Sequence, residues 1–456
     1  MKTPAATRSD LILSPDGHQR NLAIYGAAHF GKSLFWYASE TISAYYLTDA
    51  VGLSGAAMGW VIALGLLVAA MLDPLVDRVF SARLATAHGA ARLQLIGACL
   101  SAITLTAMFT GNHIAESARL GFVITTALAF RLAYALYDQP QNAMISLATR
   151  SAEDRTTVSA YRLVLSGLGA LVIAAIAATL ASRDSQGGTS ADARYFVTAL
   201  LLSICAVASA AMLDRIRGTT PSLPIRVPSS GPRWTSLPSA SGMPLGLAFI
   251  IALTVPIFSK AQPYLVGRAT SSVLWGTLIG GAVPVGAILA QPLWRALAKR
   301  CSRRYVTTVA AAILAAAGLS FWVAALASPA TAVIAAFFVG VGNGGIAITV
   351  WAAFGDSVAR PAGQPGWNFG LLTASIKIGL AAGIVGFGLL LDHTDPAVPK
   401  GEPLVTVMAI GPIMGGLGCL TLLLYPMTRS RLLRTSAEVA VHGFAGRDRR
   451  LNREGA

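Results

Sequence analysis

Twelve apolar stretches, each about long enough to cross a bilayer as a helix, recur along this 456-residue chain and exclude most folds. They run near 22–47, 55–77, 93–111, 120–146, 157–182 and 195–213, then 242–267, 271–294, 305–326, 329–354, 367–391 and 403–426. Only 12% of the residues are charged, against roughly 25% in ordinary soluble domains. The fold class predicted is an all-α polytopic membrane protein with twelve transmembrane helices in two six-helix halves.

The connector 214–241 contains Pro221, Pro224, Pro228, Pro232 and Pro238 and reads as a linker between halves 1–213 and 242–426. Residues 427–456 form a basic tail. Residues 1–20 are polar and the first apolar run contains Lys32 and Glu40, so no cleavable signal peptide is expected. Of 35 Lys and Arg residues, 25 fall on one face of this topology, five on the other and five within spans. The positive-inside rule then places both termini and the linker in the cytoplasm, with the chain in the cell (inner) membrane. Topology thereby accounts for the net charge of +15, and no nucleic-acid partner is expected. Cys99, Cys205, Cys301 and Cys419 lie far apart without metal or disulfide spacing and are read as packing residues.

The two halves carry traces of a duplication. At an offset of 218 residues Tyr46-Leu47 matches Tyr264-Leu265, Pro74-Leu75 matches Pro292-Leu293, and Asp138 matches Asp356. Glycines four apart (Gly276 and Gly280, Gly340 and Gly344, Gly379 and Gly383) allow close helix approach, either as plain packing or as surfaces that slide.

The chemistry gathers around Tyr134–Arg162, where Asp138 and Arg162 lie inside successive spans. A charge at bilayer depth costs roughly 3 kcal/mol on insertion scales, so it faces a partner or a water-filled cavity. In the first half the in-membrane polar set is Lys32, Glu40, Asp73, Asp77, Asp138, Asn142 and Arg162. Asp73 and Asp77 are one turn apart, a spacing that lets two carboxylates share a proton or help hold a cation. Asp77 also reads as a structural pair with Arg78. Glu40, among aromatics, is either a proton-binding acid or half of a salt bridge, with Lys32 or with a base on another helix. His29 reads as a packed helix residue or a proton relay. In the second half Lys377 lies mid-span and is expected to face a cavity; Lys260 either does the same or snorkels outward. No phosphate-binding loop, zinc-hydrolase motif or nucleophile elbow is present, so neither an enzyme nor an ATP-driven pump is expected, and no cofactor.

Four blocks bear a family resemblance: YGAAHFGKS followed by YYLTDAVGLS, MLDPLVDRVFSAR, YDQPQNAMISLATRSAEDRTTVSAYR and GLLTASIKIGLAAGIVGFGLLLD. In their order and content the chain resembles the major facilitator superfamily, and within it the glycoside–pentoside–hexuronide:cation symporters. The resemblance implies that Asp138 and Arg162 help bind substrate, with Tyr134 close by and Lys377 contributing from the eleventh helix. It also implies that Asp73 belongs to a cation site. Sodium-coupled members carry a second carboxylate where this chain has Ala69, and a hydroxyl where it has Ala135. Ser33 and Asn142 stand where the resemblance places a sugar-binding acid and a stacking tryptophan.

The expected function is secondary transport by alternating access of a glycoside, uronide or related small polar solute. Asp138, Arg162, Lys377, Asn142 and Tyr134 would bind that solute. Asp73, Glu40 and Asp77 would couple it, to H⁺ in preference to Na⁺. A monomer in the bilayer is expected. A membrane sensor or scaffold built on the same fold without flux, and an exporter of a non-sugar organic solute, remain the alternatives.

Overall fold

The computed structural model of the protein describes residues 15–84, 86–147, 152–184, 191–214, 242–270, 272–358, 365–394 and 402–424. The linker core, the basic tail, and the side chains of Asp77, Arg150, Arg155 and Asp356 lie outside the described residues.

Helix α1 runs Pro15–Tyr37, passes through a π-helical turn at Ala38–Ile42 and resumes as Ser43–Asp49. There follow α2 (Gly55–Val79), α3 (Ala87–Met108), α4 (Glu116–Leu147), α5 (Ala152–Asp184) and α6 (Ala191–Asp214). The second half opens with α7, built from Gly242–Thr254, Pro256–Leu265 and a π turn at Val266–Thr270. Helix α8 joins Val273–Leu289 to Gln291–Arg300. Then come α9 (Arg303–Ala327), α10 (Pro329–Val358), α11 (Pro365–Asp392) and α12 (Glu402–Leu424).

Eleven of these helices, α2 to α12, are long and apolar enough to cross a membrane. The first, carrying His29, Lys32 and Glu40, is too polar to join them. It is tolerated because it lies inside the bundle, packed against α5 and α6, where its polar groups meet protein rather than lipid. Hydroxyl side chains start several helices where the sequence turns. Ser54, Thr86, Ser272, Ser302 and Ser328 each accept a bond from the amide three residues on.

The packing repeats between the halves. In the first, α1 packs on α5 and α6, α2 on α4, and α3 on α4 and α6. In the second, α7 packs on α11, α8 on α10 and α9 on α10. Gly411 and Gly415 bring α12 against Thr254 of α7, and Gly416 brings it against Ala311 of α9. Across the boundary α2 meets α11 and α5 meets α8, the same pairing with the halves exchanged. The glycine pairs seen in the sequence lie at these seams. Gly340 and Gly344 face Val283 and Ala287 of α8, and Gly379 and Gly383 face Phe249 and Leu253 of α7. A methyl group on Gly340 would sit 1.9 Å from the Val283 carbonyl, so only glycine fits that approach.

Two expectations change. The eighth span extends past 294 to Arg300, with Trp294 buried and bonded to the Val341 carbonyl. Of the four cysteines only Cys419 is buried; Cys99 and Cys205 lie exposed on the outside of the bundle, where a small thiol is compatible with lipid.

Candidate functional site

Charged side chains converge at mid-bundle in one chain of contacts. Lys32 Nζ of α1 donates to Asp138 Oδ1 of α4 at 2.5 Å and reaches Asn142 Oδ1 at 3.5 Å. Arg162 Nη2 of α5 donates to that same Asn142 oxygen at 2.9 Å, and its Nη1 points to the Tyr25 hydroxyl at 3.5 Å. Tyr25 donates to the Gln141 carbonyl at 2.9 Å, and His29 Nδ1 meets Gln141 Oε1 at 3.2 Å. Asp138, Gln141 and Asn142 fall on one face of α4 because residues three and four apart stack on a helix. Pro140 lies inside this same turn and withholds one backbone donor, a defect that the packed neighbours tolerate.

The second half enters through Lys377. Its ammonium pairs with Asp73 Oδ2, joining α11 to α2, and Asp73 is only 2% exposed. Lys377 also lies within electrostatic range of Asp138 and Lys32. The five charges Lys32, Asp73, Asp138, Arg162 and Lys377 therefore form one constellation drawn from both halves. With every member ionised its net charge is +1.

A second charged cluster lies further along α1. Glu40, in the π turn, pairs through Oε1 with Arg131 of α4 and through Oε2 with Lys260 of α7. Lys260 also donates to the Glu40 main-chain oxygen at 3.1 Å. Arg131 stacks over the Trp36 ring at 5.4 Å. Its Nη1 has no partner among the described residues, and Arg131 lines, with Ser39, Ser43 and mostly apolar side chains such as Val61, Ile62 and Met108, a small cavity of about 10 Å³.

Beyond that cluster the halves are joined at the face holding Asp49. The Tyr264 hydroxyl donates to the Ala44 carbonyl at 2.9 Å and lies 2.9 Å from the Thr48 hydroxyl. Asp392, at the end of α11, accepts from the Gly55 amide at 2.5 Å and the Ala56 amide at 2.9 Å. It thus caps α2 from the opposite half, placing a carboxylate on the positive end of the helix.

The sequence-predicted residues divide as follows. Asp138, Arg162 and Asn142 are brought together, and Lys377 stands beside them with Asp73. Tyr134 is close, its hydroxyl 3.5 Å from the Lys32 carbonyl, but its ring is buried against Trp36 and Phe130. Glu40 sits apart, and of its two readings the structure has the salt bridge to bases on other helices. Lys260 does not snorkel; it is 3% exposed and turned inward. His29 is buried and hydrogen-bonded. The reading missed the partnerships of Lys32 and Arg131. The signal was present, since each in-span acid requires a base, but one dimension cannot say which base reaches which acid.

Two six-helix halves related by a repeat, with charges meeting between them in an apolar bundle, define a polytopic membrane protein of the major facilitator fold. Its solved neighbours agree. The nucleoside transporter NupG superposes with a TM-score of 0.60 at 14% identity, covering 88% of this chain and 98% of that one. The peptide transporter POT in complex with alafosfalin gives 0.63 at 14% identity, covering 92% and 99%. At such identity the likeness concerns the fold alone. Residues 24–429 match the family model described as MFS/sugar transport protein, and the chain belongs to that family.

Among curated relatives, a protein named as a glycoside/cation symporter, YagG of Escherichia coli (strain K12), is 27% identical over 184 residues, 40% of this chain and 39% of its own. The isoprimeverose transporter of Lactiplantibacillus pentosus is 22% identical over 188 residues, 40% of this chain and 38% of its own. These matches fit the glycoside–pentoside–hexuronide:cation group that the four sequence blocks resemble. The chain aligns with about two fifths of the length of these relatives.

Proposed function

We propose that this protein is a secondary transporter that carries a small polar solute bearing a carboxylate, a uronide or an acidic glycoside, by alternating access and in symport with a proton. The observation that carries the reading is the mid-bundle constellation of Lys32, Asp138, Asn142, Arg162, Lys377 and Asp73, assembled from both halves. Its net charge of +1 suits a solute with one negative charge, and Asp138 with Asn142 supplies acceptors for sugar hydroxyls.

Asp73 is the coupling carboxylate of this scheme. A proton on Asp73 frees the Lys377 ammonium, which is already in range of Asp138, and so changes the charge presented to the solute. Lys377 already occupies Asp73 as its ion-pair partner, and Ala69 and Ala135 add no oxygen; a hard cation such as Na⁺ needs several. Glu40 stands with two cations, an arrangement suited to holding the halves together. The distribution of Lys and Arg supports cytoplasmic termini in the inner membrane, which makes the Asp49 face the outer one and the observed state closed on that side.

The test is binding by the purified protein across sugars, uronides, glycosides and non-sugar acids, with and without Na⁺, at pH 5.5 and 7.5, followed by flux in proteoliposomes. Tighter binding of an acidic solute at pH 5.5, indifferent to Na⁺, is the expected result. Binding that requires Na⁺ overturns the coupling scheme, and binding without flux overturns transport.

A further inference from the structure

Glu40, Arg131 and Lys260 are buried together on the Asp49 side of the central constellation, and neither the solute-binding nor the proton-coupling step proposed above uses them. Glu40 and Arg131 belong to the first half and Lys260 to the second. Each carboxylate oxygen has its own cation, Oε1 the guanidinium and Oε2 the ammonium. Lys260 is held twice by the same residue, since its Nζ also donates to the Glu40 main-chain oxygen. The π turn at Ala38–Ile42 breaks the regular helix ladder at that residue, a defect that recurs at functional positions.

The next turn repeats the contact without charge. Tyr264, four residues after Lys260, donates to the carbonyl of Ala44, four residues after Glu40. Both bonds join residues 220 apart in sequence. Helices α1 and α7 thus meet in register as two rungs, one ionic and one phenolic, along the boundary that separates when this face opens.

We infer that Glu40, Arg131 and Lys260 form a one-sided latch: opening at the Asp49 face breaks Glu40–Lys260, while Arg131 keeps the Glu40 carboxylate paired throughout. A buried carboxylate stripped of its only cation is strongly unfavourable, and the guanidinium removes that obstacle to opening. Arg131 is fixed for this task by the Trp36 and Phe130 rings, and Gly65 leaves room for its stem, since a methyl group there would meet Arg131 Cγ at 3.0 Å. Lys260 is the member that opening exposes, and water receives its charge.

The inference rests on the alternating-access reading, and the experiment separates the two. Spin labels are placed through Ala115→Cys and Ala330→Cys, both exposed at the Asp49 face in opposite halves, with the four native cysteines replaced. Pulsed electron–electron distances are then measured in nanodiscs. Wild type is expected to favour the short distance. Lys260→Met is expected to raise the long-distance fraction about tenfold. Glu40→Gln, which leaves two cations facing each other, raises it further, and Lys260→Arg restores the wild-type distribution. Lys260→Gln gives the same reading as Lys260→Met should the latter fail to fold. Distributions identical to wild type in the folded Lys260 and Glu40 variants overturn the latch. A single unchanging distance in every variant and solute overturns alternating access with it. A two-distance distribution in a protein without flux removes only the transport reading.

Discussion

Asp73 of α2 and Lys377 of α11 form an ion pair across the boundary between the two halves. The aspartate that the sequence assigns to coupling and the lysine that it assigns to solute binding are partners. Neither group can change its charge or position without the other responding, so in the proposed scheme a proton on Asp73 and a solute at Lys377 would both act on this contact between the halves.

Lys377→Met leaves the Asp73 carboxylate buried without its cation, and breaking a buried pair from one side costs about 3–5 kcal/mol. The expected outcome is a markedly lower melting temperature in detergent and no uptake. Adding Asp73→Asn restores the melting temperature but not the uptake. A double variant as unstable as the single would show that the pair is not the source of the loss.

Arg162 shares the Asn142 oxygen with Lys32 and is only partly buried, so its removal spares the fold. Arg162→Gln is expected to weaken binding of acidic solutes by roughly ten- to a hundredfold, the value of a charge-assisted bond. Neutral glycosides should be affected less. Calorimetry on the purified variant checks this, and equal losses for acidic and neutral ligands would argue against a carboxylate subsite.

Asp392 caps α2 from α11, and Asp392→Asn removes the charge while keeping an acceptor. Gly55 and Ala56 use separate oxygens, so the Asn variant keeps an acceptor for only one amide. A loss of about 1–2 kcal/mol is expected from the helix-dipole term and the lost bond, with Asp392→Ala costing about 1 kcal/mol more as the remaining amide also loses its acceptor. The order Ala, Asn, wild type in melting temperature is the readout.

Two glycines of α11, two residues apart, should behave oppositely. A methyl group on Gly388 would lie 2.1 Å from the Gly55 carbonyl, so Gly388→Ala is expected to push α2 and α11 apart at a cost of about 1–3 kcal/mol. Gly386 has nothing within 4 Å of the same position, and Gly386→Ala is expected to be neutral or to stabilise by up to about 1 kcal/mol. Thermal unfolding of the two single variants compares them directly.

Much of this architecture is legible in one dimension, because bilayer thickness sets helix length and lipid requires each span to satisfy its own backbone, which long apolar runs do as helices. The span positions and the glycine pairs follow from local composition. The polar first helix shows the limit of that rule. Its stretch reads as the first of the twelve spans, yet it is more polar than the other eleven, and its place inside the bundle explains why its charges are tolerated.

The candidate site was legible as a list of residues and not as a set of pairs. An acid or base in an apolar span announces itself by the cost of burying charge, and so Asp73, Asp138, Arg162, Lys377, Glu40 and Lys260 stood out from the sequence alone. Which charge meets which depends on helix rotation, crossing and register between chain segments up to 304 residues apart, as for Asp73 and Lys377. Those quantities arise from packing across the whole bundle. Tertiary structure alone therefore gave Lys377 to Asp73, Lys32 to Asp138, and Glu40 to two cations on separate halves.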